Sequence, residues 1–184
     1  VDAAADLLAA SGFEAVSHRA VAARAELPLA ATTYYFATLD DLRAAALAQL
    51  SREYVENARN LAAGLSAADR SPAEVARLLV ALVAGDGEQT DPARLLTFYE
   101  RYVQAGRHPS LRSMVRGWTA ELGRLAAVVL ERSGISADAD LAHVLIAAID
   151  GLLLDALIDG DPAAPSKAAD GIAPLLGRRW LRDS

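Results

Sequence analysis

Apolar residues recur at three- and four-residue intervals along most of this chain, and polar or turn-forming residues interrupt them at legible points. Ser17 precedes a stretch in which Val21, Ala22 and Ala25 share a helical face, so its hydroxyl is expected to accept from a free N–H at a helix start. Ala25-Glu26-Leu27 breaks the pattern, and Pro28 pushes Leu27 out of the α region. A second short helix follows, and Thr38 is placed to cap a longer one from Leu39, with Asp40 and Asp41 in its positive first turn. Ser71-Pro72-Ala73-Glu74 has Ser at the cap, Pro at the first position and Glu at the third. Asp91-Pro92 repeats the cap-then-proline pair, and Pro109 disfavours helix at His108. Gly134 ends a helix, Ser136 is expected to cap the next, and Gly160-Asp161-Pro162 makes a turn before the last.

The pattern predicts nine helices, at 1–11, 18–25, 29–36, 39–64, 72–84, 92–106, 110–133, 137–159 and 165–181. β-branched residues are scattered and nowhere alternate between hairpin turns, so the predicted class is all-α. Loops this short force neighbouring helices to pack antiparallel or at an angle. The helix from Leu39 would link a three-helix head, residues 1–44, to a larger helical body, residues 45–184.

The two short helices of Ser17 to Phe36, SHRAVAARAELPLAATTYYF, stand about four residues apart, the spacing of a helix-turn-helix whose second helix enters the DNA major groove. With the preceding AADLLAASGFEAVS of Ala4 to Ser17, the Gly12-Phe13 stop, Val21-Ala22, the turn, Tyr34-Tyr35-Phe36 and Leu42, this segment resembles the TetR family of transcriptional regulators. The ordered set, spanning roughly the first quarter of the chain, carries the resemblance rather than any single residue. It implies that Ser17, His18 and Arg19, at the start of the second helix, and Leu29, Ala30, Ala31, Thr33, Tyr34 and Tyr35, on the third, face double-stranded DNA. A guanidinium at Arg19 suits guanine O6/N7 or a phosphate, and the small apolar Leu29, Ala30 and Ala31 suit close approach and thymine methyls. Thr33, Tyr34 and Tyr35 offer hydroxyls toward phosphates. Tyr34 is expected outward; Tyr35 is expected either outward or packed beside Phe36.

The chain departs from the family at three positions. Glu26 stands where the family has a glycine, at a turn residue that favours the left-handed region, where a side chain costs about 1 kcal/mol. Thr33 replaces a tyrosine, and Leu39 replaces a phosphate-contacting lysine.

Composition changes this picture little, and charge more. Hydrophobic residues make up 53% of the 184, yet aromatics only 5%, so Ala and Leu fill the helices and any aromatic cluster stands out. With no cysteine there is neither a disulfide framework nor a thiolate metal site, which fits a reducing cytoplasm. Position 1 is Val and the first helix begins almost at once, so a native N-terminal segment, often basic in this family, is expected ahead of it. No signal peptide is visible. The apolar run Leu141 to Ile158, interrupted by His143, Asp150 and Asp155, is expected to be a buried helix, too short and too charged to cross a membrane. The net charge of -6 argues against nucleic acid on its own. The first 44 residues hold six acids (Asp2, Asp6, Glu14, Glu26, Asp40, Asp41) against Arg19, Arg24 and Arg43.

In the body, Phe98 and Tyr102 lie four apart on one face, His108 follows at the break, and Met114 and Trp118 are again four apart. The resemblance implies a ligand cavity among the central helices, so Phe98, Tyr102, His108, Met114 and Trp118 are the candidates to line it for a small apolar effector; the alternative is ordinary core. Asp150-Gly151 inside VLIAAIDGLLLDALI is a costly carboxylate that needs a partner, a cavity or a dimer seam, and Gly151 favours the seam. His18, His108 and His143 have no metal-ligand spacing, and no HExxH, P-loop or dinucleotide turn is present, so neither a cofactor, a metal nor an enzymatic activity is expected.

The expectation is therefore a TetR-like repressor, homodimeric through its last two helices, released from a palindromic operator by a small molecule, cytoplasmic and without a membrane partner. The competing reading is an all-α ligand-binding or interaction protein whose head binds DNA weakly or not at all.

Overall fold

Among the described residues nine α-helices form where local chemistry starts and stops them. They are α1 (Asp2–Ser11), α2 (His18–Arg24), α3 (Leu29–Tyr35), α4 (Leu39–Gly64), α5 (Pro72–Ala84), α6 (Pro92–Arg107), α7 (Arg112–Arg132), α8 (Ala139–Ile158) and α9 (Ala164–Trp180), with 3₁₀ turns at Phe13–Ala15 and Pro109–Leu111. The computed structural model describes residues 1–85, 92–136 and 138–180, the side chains of 92–94 and 178–180 excepted. Among these residues there is no strand, so the class is all-α. Asp91, expected to cap α6, lies outside the described residues.

Side-chain caps open four of these helices, α2, α4, α5 and α8. Thr38 Oγ1 accepts from the Asp41 N–H at 3.0 Å, and Asp41 Oδ2 accepts from the Thr38 N–H at 3.1 Å. Ser71 and Glu74 form the same reciprocal box, and those hydrogen bonds hold the Glu74 carboxyl below its ordinary pKa. His108 is extended at φ −113°, as Pro109 requires. One start differs from the sequence expectation: Asp138, not Ser136, caps α8, accepting from the Leu141 N–H at 2.7 Å. A carboxylate one residue before the first helical turn serves both as acceptor and as a charge matched to the dipole.

The chain folds into two units, one from Val1–Glu53 and Ala93–Arg116, the other from the described residues of Tyr54–Pro92 and Gly117–Ser184. The first has a core of Ala4, Leu8, Phe13, Val16, Val21, Leu42, Ala46 and Leu47 together with Ala105, Leu111 and Val115. In the second, α5, α8 and α9 pack on one another. Their buried faces are Val75, Leu79 and Val83 on α5, Leu145, Ile149 and Leu153 on α8, and Ile172 and Leu176 on α9. Within this unit Gly171 permits a close helix approach. A Cβ on Gly171 would sit 3.0 Å from Leu152 Cδ1, whereas one on Gly151 would meet nothing within 4 Å.

Side chains close this second unit at its loop. Arg132 Nη1 donates to the carbonyls of Ala62 (2.8 Å), Ala63 (3.1 Å) and Leu65 (2.8 Å), satisfying the end of α4. Glu121 receives two 2.8 Å bonds from Arg124 and one of 2.8 Å from Arg59, which pull its pKa down to about 2, the Arg124 bonds most strongly.

Candidate nucleic-acid interface

The first unit builds a helix-turn-helix from its short helices. Ser17 Oγ accepts from the Ala20 N–H at 3.2 Å and opens α2, whose Val21 and Ala22 are buried in the core. The helix then ends in a Schellman motif: the Leu27 N–H donates to Ala22 O at 2.9 Å and the Glu26 N–H to Ala23 O at 3.3 Å. That geometry requires a left-handed residue between, and Glu26 supplies it at φ +55°, the only non-glycine with positive φ among the described residues. The same motif ends α7, where Ile135 donates to Leu130 O and the left-handed position is Gly134 at φ +79°.

Beyond the turn, Thr32 is the residue of α3 that faces inward. Its buried Oγ1 donates to Leu29 O at 2.9 Å and reaches His18 O at 3.4 Å, tying α3 to the start of α2. The rest of α3 is therefore turned out. Leu29, Ala30, Thr33, Tyr34 and Tyr35 are exposed and Ala31 is partly so. Tyr34 is 83% and Tyr35 76% exposed, with rings edge to face at 5.2 Å. Both tyrosines are thus outward, and only Phe36 turns back onto the core. Thr33 Oγ1 donates to Ala30 O at 3.2 Å.

Of the arginines in the first 44 residues, Arg19 alone makes no hydrogen bond or ion pair among the described residues, and it is exposed. Arg24 pairs with Asp6 at 3.5 Å. Arg43 is engaged on three sides: Nε donates to Val16 O at 3.1 Å, Nη2 meets Glu14 at 3.0 Å, and the guanidinium lies 4.8 Å over the Phe13 ring. His18 is half-buried, and its Nδ1 has no partner among the described residues. Leu39 packs against the core of this unit, a use that a lysine could not fill with its charged end.

Sequence reasoning missed Glu100. Its Oε2 accepts from the Phe13 N–H at 2.9 Å, and a Cβ on Gly12, at φ +79°, would come within 3.1 Å of that oxygen. The carboxylate of α6 thereby holds the elbow after α1. The available signal was the elbow itself: a glycine stop leaves the next N–H without a helical acceptor. His108 belongs to the same corner, its ring 5.7 Å from Phe13 and its Nδ1 3.6 Å from Asp40.

The five residues expected around a ligand are distributed as follows. Phe98, Tyr102, His108 and Met114 are in the first unit, where Tyr102 and Met114 pack against the core named above. Phe98 is buried, edge to face with Tyr99 at 5.1 Å, and Tyr99 stacks with Tyr102 at 6.4 Å. Trp118 is in the second unit, buried, with its ring 6.1 Å from that of Tyr54. Among the described residues no group of His, Asp and Glu could hold a metal ion.

A helix-turn-helix head with an outward third helix and an all-helical body defines a DNA-binding regulator. The profile of the tetracyclin repressor-like C-terminal domain matches residues 70–179. Among solved structures, the multidrug binding protein EbrR complexed with proflavin is 33% identical, with a TM-score of 0.69 and 95% of each chain covered. EbrR complexed with ethidium is 32% identical, with a TM-score of 0.70, covering 95% of this chain and 94% of that one. SCO1917, a TetR-family member from Streptomyces coelicolor A3, is 33% identical, with a TM-score of 0.65, covering 96% and 93%. No curated protein matches the chain at a significant level. The chain belongs to the TetR family: it is a transcriptional regulator, and the family is not one of enzymes.

Proposed function

We propose that the chain is a cytoplasmic repressor that binds a palindromic operator as a homodimer and leaves it when a small aromatic molecule binds. Residues 1–44 are assigned to DNA and residues 45–184 to ligand and dimer contacts. Arg19, with Ser17 and His18 beside it, and Leu29, Ala30, Ala31, Thr33, Tyr34 and Tyr35 form the DNA face. The observation that carries this is the outward set on α3 beside an unengaged guanidinium, in a unit whose other large apolar side chains are mostly buried. Phe98, Tyr102, His108, Met114 and Trp118 are assigned to effector response. The aromatic dyes held by EbrR support an aromatic ligand for this chain.

The homodimer rests on α8. Its 20 residues are long and apolar enough to cross a membrane by length and composition, which corrects the expectation that the run is too short. Its solvent face, however, carries Val144, Ala147, Gly151, Leu154 and Ile158 at alternating three- and four-residue steps, the spacing of a helix–helix seam. The space open above Gly151 suits a second copy of this helix. Two heads on one dimer would read half-sites one turn apart, about 34 Å.

A specific observation favours the second reading, a head with weak DNA affinity: Arg24 and Arg43 are engaged by Asp6 and Glu14, which leaves few cations for phosphates. A mobility-shift titration of the protein on its own upstream intergenic DNA, with and without small uncharged aromatics that do not intercalate, tests both. Salt-sensitive binding abolished by ligand supports the repressor; no shift on any upstream DNA supports the alternative.

A further inference from the structure

Between Glu100 and Glu121 the chain carries four arginines and no acid, although its net charge is -6. Arg101 is buried, while Arg107, Arg112 and Arg116 are exposed and gather at the corner where α6 meets α7. Arg112 Nε donates to Ala105 O at 3.2 Å and its Nη2 to Gly106 O at 3.1 Å, which seats this guanidinium on the last turn of α6, beside Arg107. Arg116 follows Arg112 by one helical turn on the same face. None of the three forms an ion pair, and Arg107 and Arg116 make no hydrogen bond among the described residues. Asp40 meets this corner at His108 Nδ1, 3.6 Å away, and leaves the guanidiniums unpaired.

That contact also places the corner. Asp40 lies in the first turn of α4, and Leu39 and Leu111 pack into one core, all within the first unit. Leu39 opens α4 four residues after Tyr35 closes α3, so the two helix ends lie within about 14 Å of each other. A duplex that takes α3 into its major groove, about 12 Å wide, spreads its groove-wall phosphates over the same span. The corner therefore stands where DNA backbone passes, and it holds the cations that the head lacks, since Arg24 and Arg43 are engaged by Asp6 and Glu14. Three like charges held together without a counter-charge repel one another. A polyphosphate relieves that repulsion and releases its own condensed counterions.

We propose that Arg107, Arg112 and Arg116 form a second phosphate-binding surface, outside the helix-turn-helix, that grips the DNA backbone flanking the bases α3 reads. The inference rests on the DNA-binding reading above and adds a site to it. This surface supplies affinity rather than sequence preference, because guanidiniums on phosphates position a duplex without touching base edges.

Anisotropy titrations of the full chain test it on a labelled duplex of its own upstream intergenic DNA and on a scrambled duplex of the same composition. Salt is raised from about 50 to about 200 mM, over which log K falls linearly with log salt. Arg107→Gln/Arg116→Gln should bind both duplexes more weakly, with a slope shallower by about 1.8, so that this rise in salt costs it about tenfold less affinity than it costs the wild type. The ratio of the two affinities should stay at the wild-type value. Arg107→Lys/Arg116→Lys should keep the wild-type slope. Arg112 is left in place because it closes the end of α6. Should the double Gln variant not fold, each single Gln variant should lose about 0.9 of the slope. An unchanged slope in the folded Gln variants overturns the proposal, and so does a changed ratio, which would assign these arginines to base reading. A wild type that binds neither duplex removes the DNA-binding reading itself, and this inference with it.

Discussion

Among the helices of this protein that leave large apolar side chains in solvent, α3 and α8 do so differently. On α3, Leu29, Tyr34 and Tyr35 are exposed over a single short helix, mixed with hydroxyls and placed beside Arg19 in a helix-turn-helix. On α8, Val144, Leu154 and Ile158, the last 85% exposed, share a face with Ala147 and Gly151, flanked by the exposed His143 and Asp155. An apolar stripe without donors or acceptors gains only by meeting another apolar surface. A patch that carries hydroxyls and a free guanidinium is suited to a partner with acceptors, such as phosphates and base edges. The two exposed patches therefore differ in the chemistry they offer, and the proposed function assigns a second copy to α8 and DNA to α3.

The sharpest way to break that distinction is a charge in the stripe. Leu154→Arg should place an unpaired cation in the seam and cost about 3–5 kcal/mol of association. Sedimentation at micromolar concentration should show the wild type as a dimer and the variant as a monomer with unchanged helicity. A wild type that sediments as a monomer would remove both the seam and the palindrome.

The DNA side of the comparison is probed by Arg19→Ala, which should weaken operator binding by about 1–3 kcal/mol while leaving sedimentation unaltered. Its counterpart is Val21→Ala, on the buried face of the same helix. That change should lower unfolding stability by about 2 kcal/mol through a cavity and leave the affinity of the folded protein for the operator as it was. If the two variants behave alike in both measurements, the inner and outer faces of α2 have been misassigned.

Tyr34→Phe removes one hydroxyl from the exposed patch and keeps the ring. It should cost about 1 kcal/mol of operator binding and nothing in thermal stability. The smallest effect is expected at the turn. Glu26→Gly gives the Schellman motif of α2 the residue that α7 already has in Gly134, and should raise stability by up to about 1 kcal/mol. A lower melting temperature in that variant would mean that the Glu26 side chain makes a contribution larger than its backbone strain.

Much of the fold was legible because helix ends are local. Ser17, Thr38 and Ser71 bond to groups three residues away, so their roles follow from the sequence alone. Pro109 and Gly134 act through their own backbone. Where two polar residues competed for one cap, as Ser136 and Asp138 did, the nearer carboxylate won. The direction of Tyr35 was open because spacing alone allows either tyrosine to pack beside Phe36; the inward hydrogen bond of Thr32 turns both out.

What the sequence determined by itself is the helical class, the order of the helices and the position of the helix-turn-helix pair, all of which depend on periodicity and on bonds within a few residues. Tertiary structure alone decided which charges are available. Arg43 is engaged by Val16 and Glu14 across 27 and 29 positions, and Glu100 reaches Phe13 across 87. Arg101 is buried against rings of its own helix, yet nothing in the spacing distinguishes it from a solvated arginine on α6. Burial depends on what the rest of the chain brings alongside, and charges act over distances in space that sequence separation does not measure.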